Sequence, residues 1–233
     1  MLRRTFLAIA AGLSLAASAA HAESRIELAP LTGVSGQKSM RTLRDMRFLD
    51  MTPQRYDFSC GSAALASLLS SGYGIRTTEE DLIRWMMEGA DTQEIIRNGF
   101  SMLDMKRYVE HLRGFRAHGF KVDADALYRL QMPVIALLDV KGYKHFVVVK
   151  GASAGRVFVA DPALGHRVMS EADFVAGWNG IVLAVVGDTP MHADSYLVSS
   201  NSSNALGHRV DALDRATTQP QIVELGLVYM DLF

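Results

Sequence analysis

The sequence predicts an α+β fold in which a helical half precedes an antiparallel sheet half, and three features of its patterning carry that prediction. A run of small and apolar residues, GSAALASLLSSGYG from Gly61, has no polar side and suits a helix buried all round. Thr78 and Ser101 each stand three positions before an aspartate, as in a capping box, and each opens a stretch with helical apolar spacing. After Gly114 the chain changes to short runs rich in β-branched residues.

Taken in order, residues 1–22 read MLRRTFLAIAAGLSLAASAAHA, with Arg3 and Arg4, an apolar run and then Ala20-His21-Ala22. That order of charge, apolar core and small residues is a secretory signal, so these residues are set outside the fold. The apolar run is shorter than the roughly 20 residues a spanning helix needs and is rich in Ala. A lipoprotein would need a cysteine just after the cleavage site, and none is there. The expectation is an exported protein, periplasmic or secreted, with no stable membrane insertion once the signal is removed.

Residues 23–50 mix Gly, Ser, Gln and Thr with a short basic stretch and read as an extended arm. The main domain is placed at residues 51–187. Its buried helix ends at the Gly72 and Gly74 punctuation. One helix follows around residues 79–88 with Leu82, Ile83, Trp85 and Met86, and another around residues 102–112 with Met105, Tyr108, Val109 and Leu112. The predicted strands are PVIALLDV from Pro133, HFVVVKG from His145, RVFVAD from Arg156 and GIVLAVVG from Gly180, with a capped helix, SEADFVAGW, from Ser170. Residues 188–233 turn polar and read as a flexible tail, with SSNSSNALGH as a linker and IVELGLVYMDLF as a short strand or docking segment.

Composition narrows the function classes. The 233 residues carry a net charge of −1 and no long Lys/Arg run, which removes the electrostatic footprint of a nucleic-acid partner. The single cysteine, Cys60, has no intramolecular bridge available to it, so an exported chain either buries this thiol or uses it. His111, His118, His166, His192 and His208 show no spacing of a metal site, and neither a metal nor a cofactor is expected.

Cys60 falls at the predicted start of the buried helix, where unpaired N–H groups and the helix dipole favour a thiolate. A free cysteine among Ala and Leu is more commonly inert, but Gly61 and Ser62 leave room for a substrate to approach. The hairpin turn GASAG, centred on Ser153, predicts that His145 faces Asp161 across two antiparallel strands, and a two-residue turn would shift the register by one and still leave the two side chains neighbours or diagonal neighbours. A carboxylate beside an imidazole fixes its tautomer and stabilises the imidazolium, so His145 is the candidate base and Asp161 its orienting acid. Taken alone, a cross-strand His–Asp pair is more often a surface contact worth little. Gln54, on a turn introduced by Pro53, is placed to join the Cys60 backbone N–H in an oxyanion hole. His166 is the rival base; Asp139 and Asp57 are the rival acids.

These residues resemble the papain-like peptidases that remove double-glycine leaders, known as the N-terminal domains of bacteriocin-exporting ABC transporters. The resemblance spans residues 51–186 and rests on QRYDFSCGSAAL, GFSMLDMKRY, PVIALL, HFVVVKG and ADPALG. It implies a papain-like α+β fold with its buried central helix packed on the antiparallel sheet, Gln54 as the oxyanion residue, Cys60 as nucleophile, His145 as general base and Asp161 as orienting acid. Two departures stand out: the signal and the lack of a following transporter suggest a free-standing, extracytoplasmic copy, and Ser59 stands where the transporter-linked domains often carry an acid. Free-standing secreted members of the family occur beside surface-fibre and functional-amyloid systems.

The resulting expectation is an exported cysteine endopeptidase that cuts a peptide or protein after glycine-rich sites, with components of a secretion or fibre system as partners. Two other readings use the same residues differently. A cell-wall amidase or acyl transferase keeps the Cys–His pair and changes the bond, and a peptide-binding module keeps the fold without cutting.

Overall fold

The computed structural model describes residues 24–27, 37–40 and 42–198. The signal expected at residues 1–22, and the linker and docking segment expected after residue 198, lie outside the described residues. Up to Thr42 the chain forms a unit of its own. In it, β1 (Ser24–Glu27) and β2 (Gln37–Met40) pair antiparallel, with Ser24 opposite Met40.

The second unit begins at Leu43 with a short helix, α1 (Leu43–Arg47). The small, apolar run becomes α2 (Cys60–Ser67), and all eight of its residues are buried, which is why it has no polar face. It continues as a π-helical turn, Leu68–Gly72. The capping residues read from sequence do start helices: α3 (Glu79–Met87) carries the Thr78–Asp81 box, and α5 (Met102–His111) the Ser101–Asp104 box. Between them lies α4 (Thr92–Asn98), capped by the Asp91 side chain and not expected from the sequence.

Six antiparallel strands form the sheet: β3 (Phe115–Lys121), β4 (Val134–Val140), β5 (Tyr143–Ser153), β6 (Arg156–Asp161), β7 (Gly165–Ser170) and β8 (Trp178–Gly187), in spatial order β3-β8-β4-β5-β6-β7. One face of the sheet carries Ile135, Val148 and Leu183 against Leu65, Leu69 and Met105 of the helical half. The other carries Val147, Val149 and Val159 against Leu127 and Phe174. Leu127 comes from a 3₁₀ turn at Ala124–Arg129, and Phe174 from α6 (Glu171–Gly177), which Ser170 caps. The inner strands β4, β5, β6 and β8 thus alternate between two apolar layers, so their buried runs are apolar on both faces.

The hairpin of β5 and β6 corrects the expected register. Its turn is two residues long, Ala154 and Gly155, both at positive φ, with Ser153 opposite Arg156. That pairing, carried along both strands, would put His145 and Asp161 on opposite faces. A bulge prevents it: Gly151 stands opposite Phe158, but Val149 stands opposite Val159, so Lys150 is the extra residue and Gly151 takes a φ of 144°. The one-residue shift restores a common face. His145 then stands diagonal to Asp161 instead of directly opposite it.

The packed unit also runs beyond residue 187, where the sequence turns polar. Leu197 is buried in the helical-side core, with Met191 and Val198 against it. Asp50, in the stretch read as an arm, accepts the Tyr196 backbone N–H at 2.7 Å.

Candidate active site

Cys60 is the first residue of α2, so its sulfur sits at the helix end where backbone N–H groups have no partners within the helix. The thiol is buried, with a relative exposure of 5%. Its Sγ accepts the Phe146 backbone N–H at 3.5 Å, which ties the helix start to the strand residue next to His145. The sulfur lies at the wall of a cleft of about 780 Å³ that Asp57, Phe58, Phe100, Tyr143 and Lys144 also line.

His145 is buried, and its Nε2–H donates to Asp161 Oδ1 at 2.7 Å. Nδ1 has no hydrogen-bond partner, yet the Cys60 thiol interacts with the ring. Burial works against a charged imidazole here. The hydrogen bond and negative charge of Asp161, together with the interaction with Cys60, outweigh it, and the pKa is raised to about 9.

Asp161 is fully buried at the end of β6. Its Oδ1 also accepts the Ala163 and Leu164 backbone N–H groups, at 2.9 and 3.2 Å, while Arg167 Nε lies 3.2 Å from Oδ2. Burial alone would push the carboxyl up. The His145 hydrogen bond and charge, the Ala163 N–H and the Arg167 charge hold it below the ordinary carboxylate range. A carboxylate held in its ionised form at neutral pH therefore grips the ring nitrogen away from Cys60 and leaves the other free for proton transfer.

Gln54 sits beside this pair through its backbone, whose N–H donates to Pro162 O at 2.9 Å. Its Nε2 donates to Tyr56 O at 3.2 Å, and the amide also bonds the Tyr143 hydroxyl. To serve an oxyanion, the amide must exchange one of these contacts for substrate. Tyr143 was not singled out by the sequence. Its ring stacks on His145, with centroids 6.0 Å apart, and its hydroxyl donates to Asp57 O at 3.0 Å. Burial and the Cys60 charge raise its pKa, so it stays a neutral donor. Only its place two residues before His145, on the same side of the strand, was legible.

The rivals go elsewhere. His166 pairs with Ala160, one residue off Asp161, so it leaves the sheet on the opposite face. Its Nε2 bonds Leu49 O at 2.7 Å and its ring packs edge-on to Tyr196; burial first, then the nearby Lys150 charge, lower its pKa to about 4. Asp139 accepts the Gly142 N–H at 2.7 Å in the β4–β5 turn, and the Asp57 carboxylate is exposed. Among the described residues no three His, Cys, Asp or Glu side chains come together as metal ligands.

Comparison with known proteins shows the family. The model of the peptidase C39 family matches residues 49–189. The chain is similar to the probable functional amyloid protease FapD of Pseudomonas aeruginosa, with 40% identity over 196 residues, covering 84% of this chain and 85% of that one. It is also similar to the lactococcin-A transport/processing ATP-binding protein LcnC of Lactococcus lactis, with 31% identity over 155 residues, covering 64% of this chain and 20% of that one. Among solved structures, the peptidase domain of Streptococcus ComA, a bi-functional ABC transporter, matches with a TM-score of 0.51 at 24% identity, over 59% of this chain and 97% of that one. That likeness shows the fold, the papain-like α+β arrangement expected from the sequence.

Proposed function

The chain belongs to the peptidase C39 family and is a cysteine peptidase, and from that premise we propose that it works outside the cytoplasm, cutting an exported, fibre-forming protein after a glycine-rich site. The observation that carries the chemistry is the burial of His145 between an ionised Asp161 and the Cys60 thiol. The charge, apolar core and small-residue order of residues 1–22 supports export, and the name of the P. aeruginosa relative supports a fibre-forming substrate.

In this reading Cys60 Sγ attacks the peptide carbonyl carbon as a thiolate. The Cys60 backbone N–H and the Gln54 amide N–H, released from Tyr56 O, hold the oxyanion. His145 Nδ1–H protonates the leaving amine as the C–N bond breaks, and a thioester remains. A water then attacks the thioester and gives one proton to Nδ1; the C–S bond breaks, releasing the acid and the Cys60 thiolate beside the restored imidazolium. Asp161 keeps the proton on Nε2 throughout, so Nδ1 alone moves protons.

Incubating the exported chain with peptides that carry a double glycine tests the substrate. We expect a single cut after the second glycine, and replacing that glycine by valine should slow the cut by at least about tenfold. Equal rates for both peptides would contradict the glycine-site reading. Release of cell-wall peptides from peptidoglycan fragments, with none from glycine-rich peptides, would move the reaction to the amidase class.

A further inference from the structure

Glu79 is the first residue of α3, a position usually in water, yet it is only 1% exposed. Its carboxylate is turned toward the segment from Gln54 to Cys60. Oε1 accepts the Arg55 backbone N–H at 3.0 Å and lies in hydrogen-bond contact with the Ser59 hydroxyl. That hydroxyl also accepts the Tyr56 N–H at 3.2 Å and stands 2.8 Å from Tyr56 O. It has one proton to give, and the carboxylate is the stronger acceptor. Glu79 Oε2 is buried without a partner.

Burying a carboxylate is unfavourable unless good hydrogen bonds offset the lost hydration, so an apolar residue would suit a purely structural position better. Here both partners lie within one short loop, and they flank its two candidate functional residues: Arg55 follows Gln54, and Ser59 precedes Cys60. The loop's ends are fixed from the sheet, at one end by Gln54 N–H on Pro162 O and at the other by Phe146 N–H on Cys60 Sγ. Glu79 fixes its middle from the helical side. The helix dipole at the start of α3 favours a negative charge there.

We infer that Glu79 is a positioning residue for the reaction: from α3 it holds Arg55 and Ser59 so that the Gln54 amide and the Cys60 backbone N–H converge on one substrate oxygen. It touches neither substrate nor the reacting atoms. Its effect passes through the loop, and the inference rests on the peptidase reading of Cys60.

Glu79→Ala and Glu79→Gln, made in the same chain, test it. The glutamine amide oxygen keeps both acceptances and the alanine keeps neither. With rates normalised to the Cys60 that iodoacetamide titrates, Glu79→Ala should lower kcat about 10- to 100-fold with KM within about threefold of wild type, because misplacement near 1 Å costs about that much. Glu79→Gln should restore kcat to within about threefold of wild type. A kcat per titrated Cys60 in Glu79→Ala equal to wild type would overturn the inference, as would a Glu79→Gln as slow as Glu79→Ala.

The alkylation rate itself needs no peptide. If wild type cuts none of the peptides, the substrate reading fails on its own, and the positioning role is still decided. A slower alkylation in Glu79→Ala that Glu79→Gln restores supports the role, and equal rates in all three proteins overturn it.

Discussion

Cys60→Ala stops cleavage of a glycine-rich peptide: kcat/KM falls by at least about a thousandfold, the loss expected when the nucleophile of a triad-type site is removed. The fold should survive, because the change trims one buried sulfur from a helix whose eight residues are otherwise small or apolar and already packed. The lost contact is the Phe146 N–H on the sulfur, at 3.5 Å a weak hydrogen bond. Circular dichroism and thermal melting check that the variant is folded, and product appearance by mass spectrometry measures the rate. Cleavage that persists in Cys60→Ala would remove the covalent mechanism. A folded variant that binds the peptide without cutting it is the expected state, and it separates a peptidase from a binding module, whose peptide affinity would be its whole function.

Asp161→Ala ranks next. It leaves the buried His145 Nε2–H and the part-buried Ala163 and Leu164 N–H groups without their common acceptor. We expect kcat/KM to fall about a thousandfold, as for the orienting acid of a hydrolytic triad. Asp161→Asn is milder, since its amide oxygen can keep the three contacts while the charge is lost.

The pH profile separates the two effects. Because His145 is raised to about 9, the imidazolium needed to protonate the leaving amine persists through neutral pH and is lost as pH rises past that value. Cleavage by wild type should therefore decline on the alkaline side near 9. Burial opposes the imidazolium, and the Asp161 hydrogen bond and charge support it. Neutralising Asp161 in Asp161→Asn must then move the alkaline decline to lower pH. An unmoved decline would mean that Asp161 does not control the protonation of His145.

Much of this site was legible in the sequence because its signals are local. Cys60 at the head of a helix of small residues, and the boxes at Thr78 and Ser101, follow from side chains a few positions apart, and the structure keeps them. The pairing of His145 with Asp161 was anticipated for a reason only half right. The sequence centred the turn on Ser153, whereas the chain turns at Ala154–Gly155 and recovers the common face through the bulge at Lys150. Such a bulge depends on tertiary partners. The Lys150 ammonium donates to Tyr196 O at 2.8 Å and lies over the Tyr196 ring, which no local pattern announces.

The elements that went unseen bury little. In α4 Ile95 is the buried residue, and in β3 it is Ala117, so neither stretch has an apolar period to read. The buried end of the described chain escaped for a similar reason, because Leu197 sits among Ser, Tyr and Asp in a segment whose composition looks solvated. Glu79 was visible only as an acid in a capped first turn. Its inward direction is set by the Arg55 and Ser59 groups that receive it.

The central claim is that Cys60 and His145 act as one coupled pair, and its most direct test is the rate of alkylation by iodoacetamide from pH 4 to 9 in wild type and His145→Ala. Cys60 is the sole thiol of the chain, so the modification is read without ambiguity. We predict rapid modification of wild type at mildly acidic pH, where the His145 ring beside the sulfur is an imidazolium, and a loss of that reactivity by about tenfold or more in His145→Ala. Slow modification of wild type below neutral pH, or identical profiles for the two proteins, would contradict it.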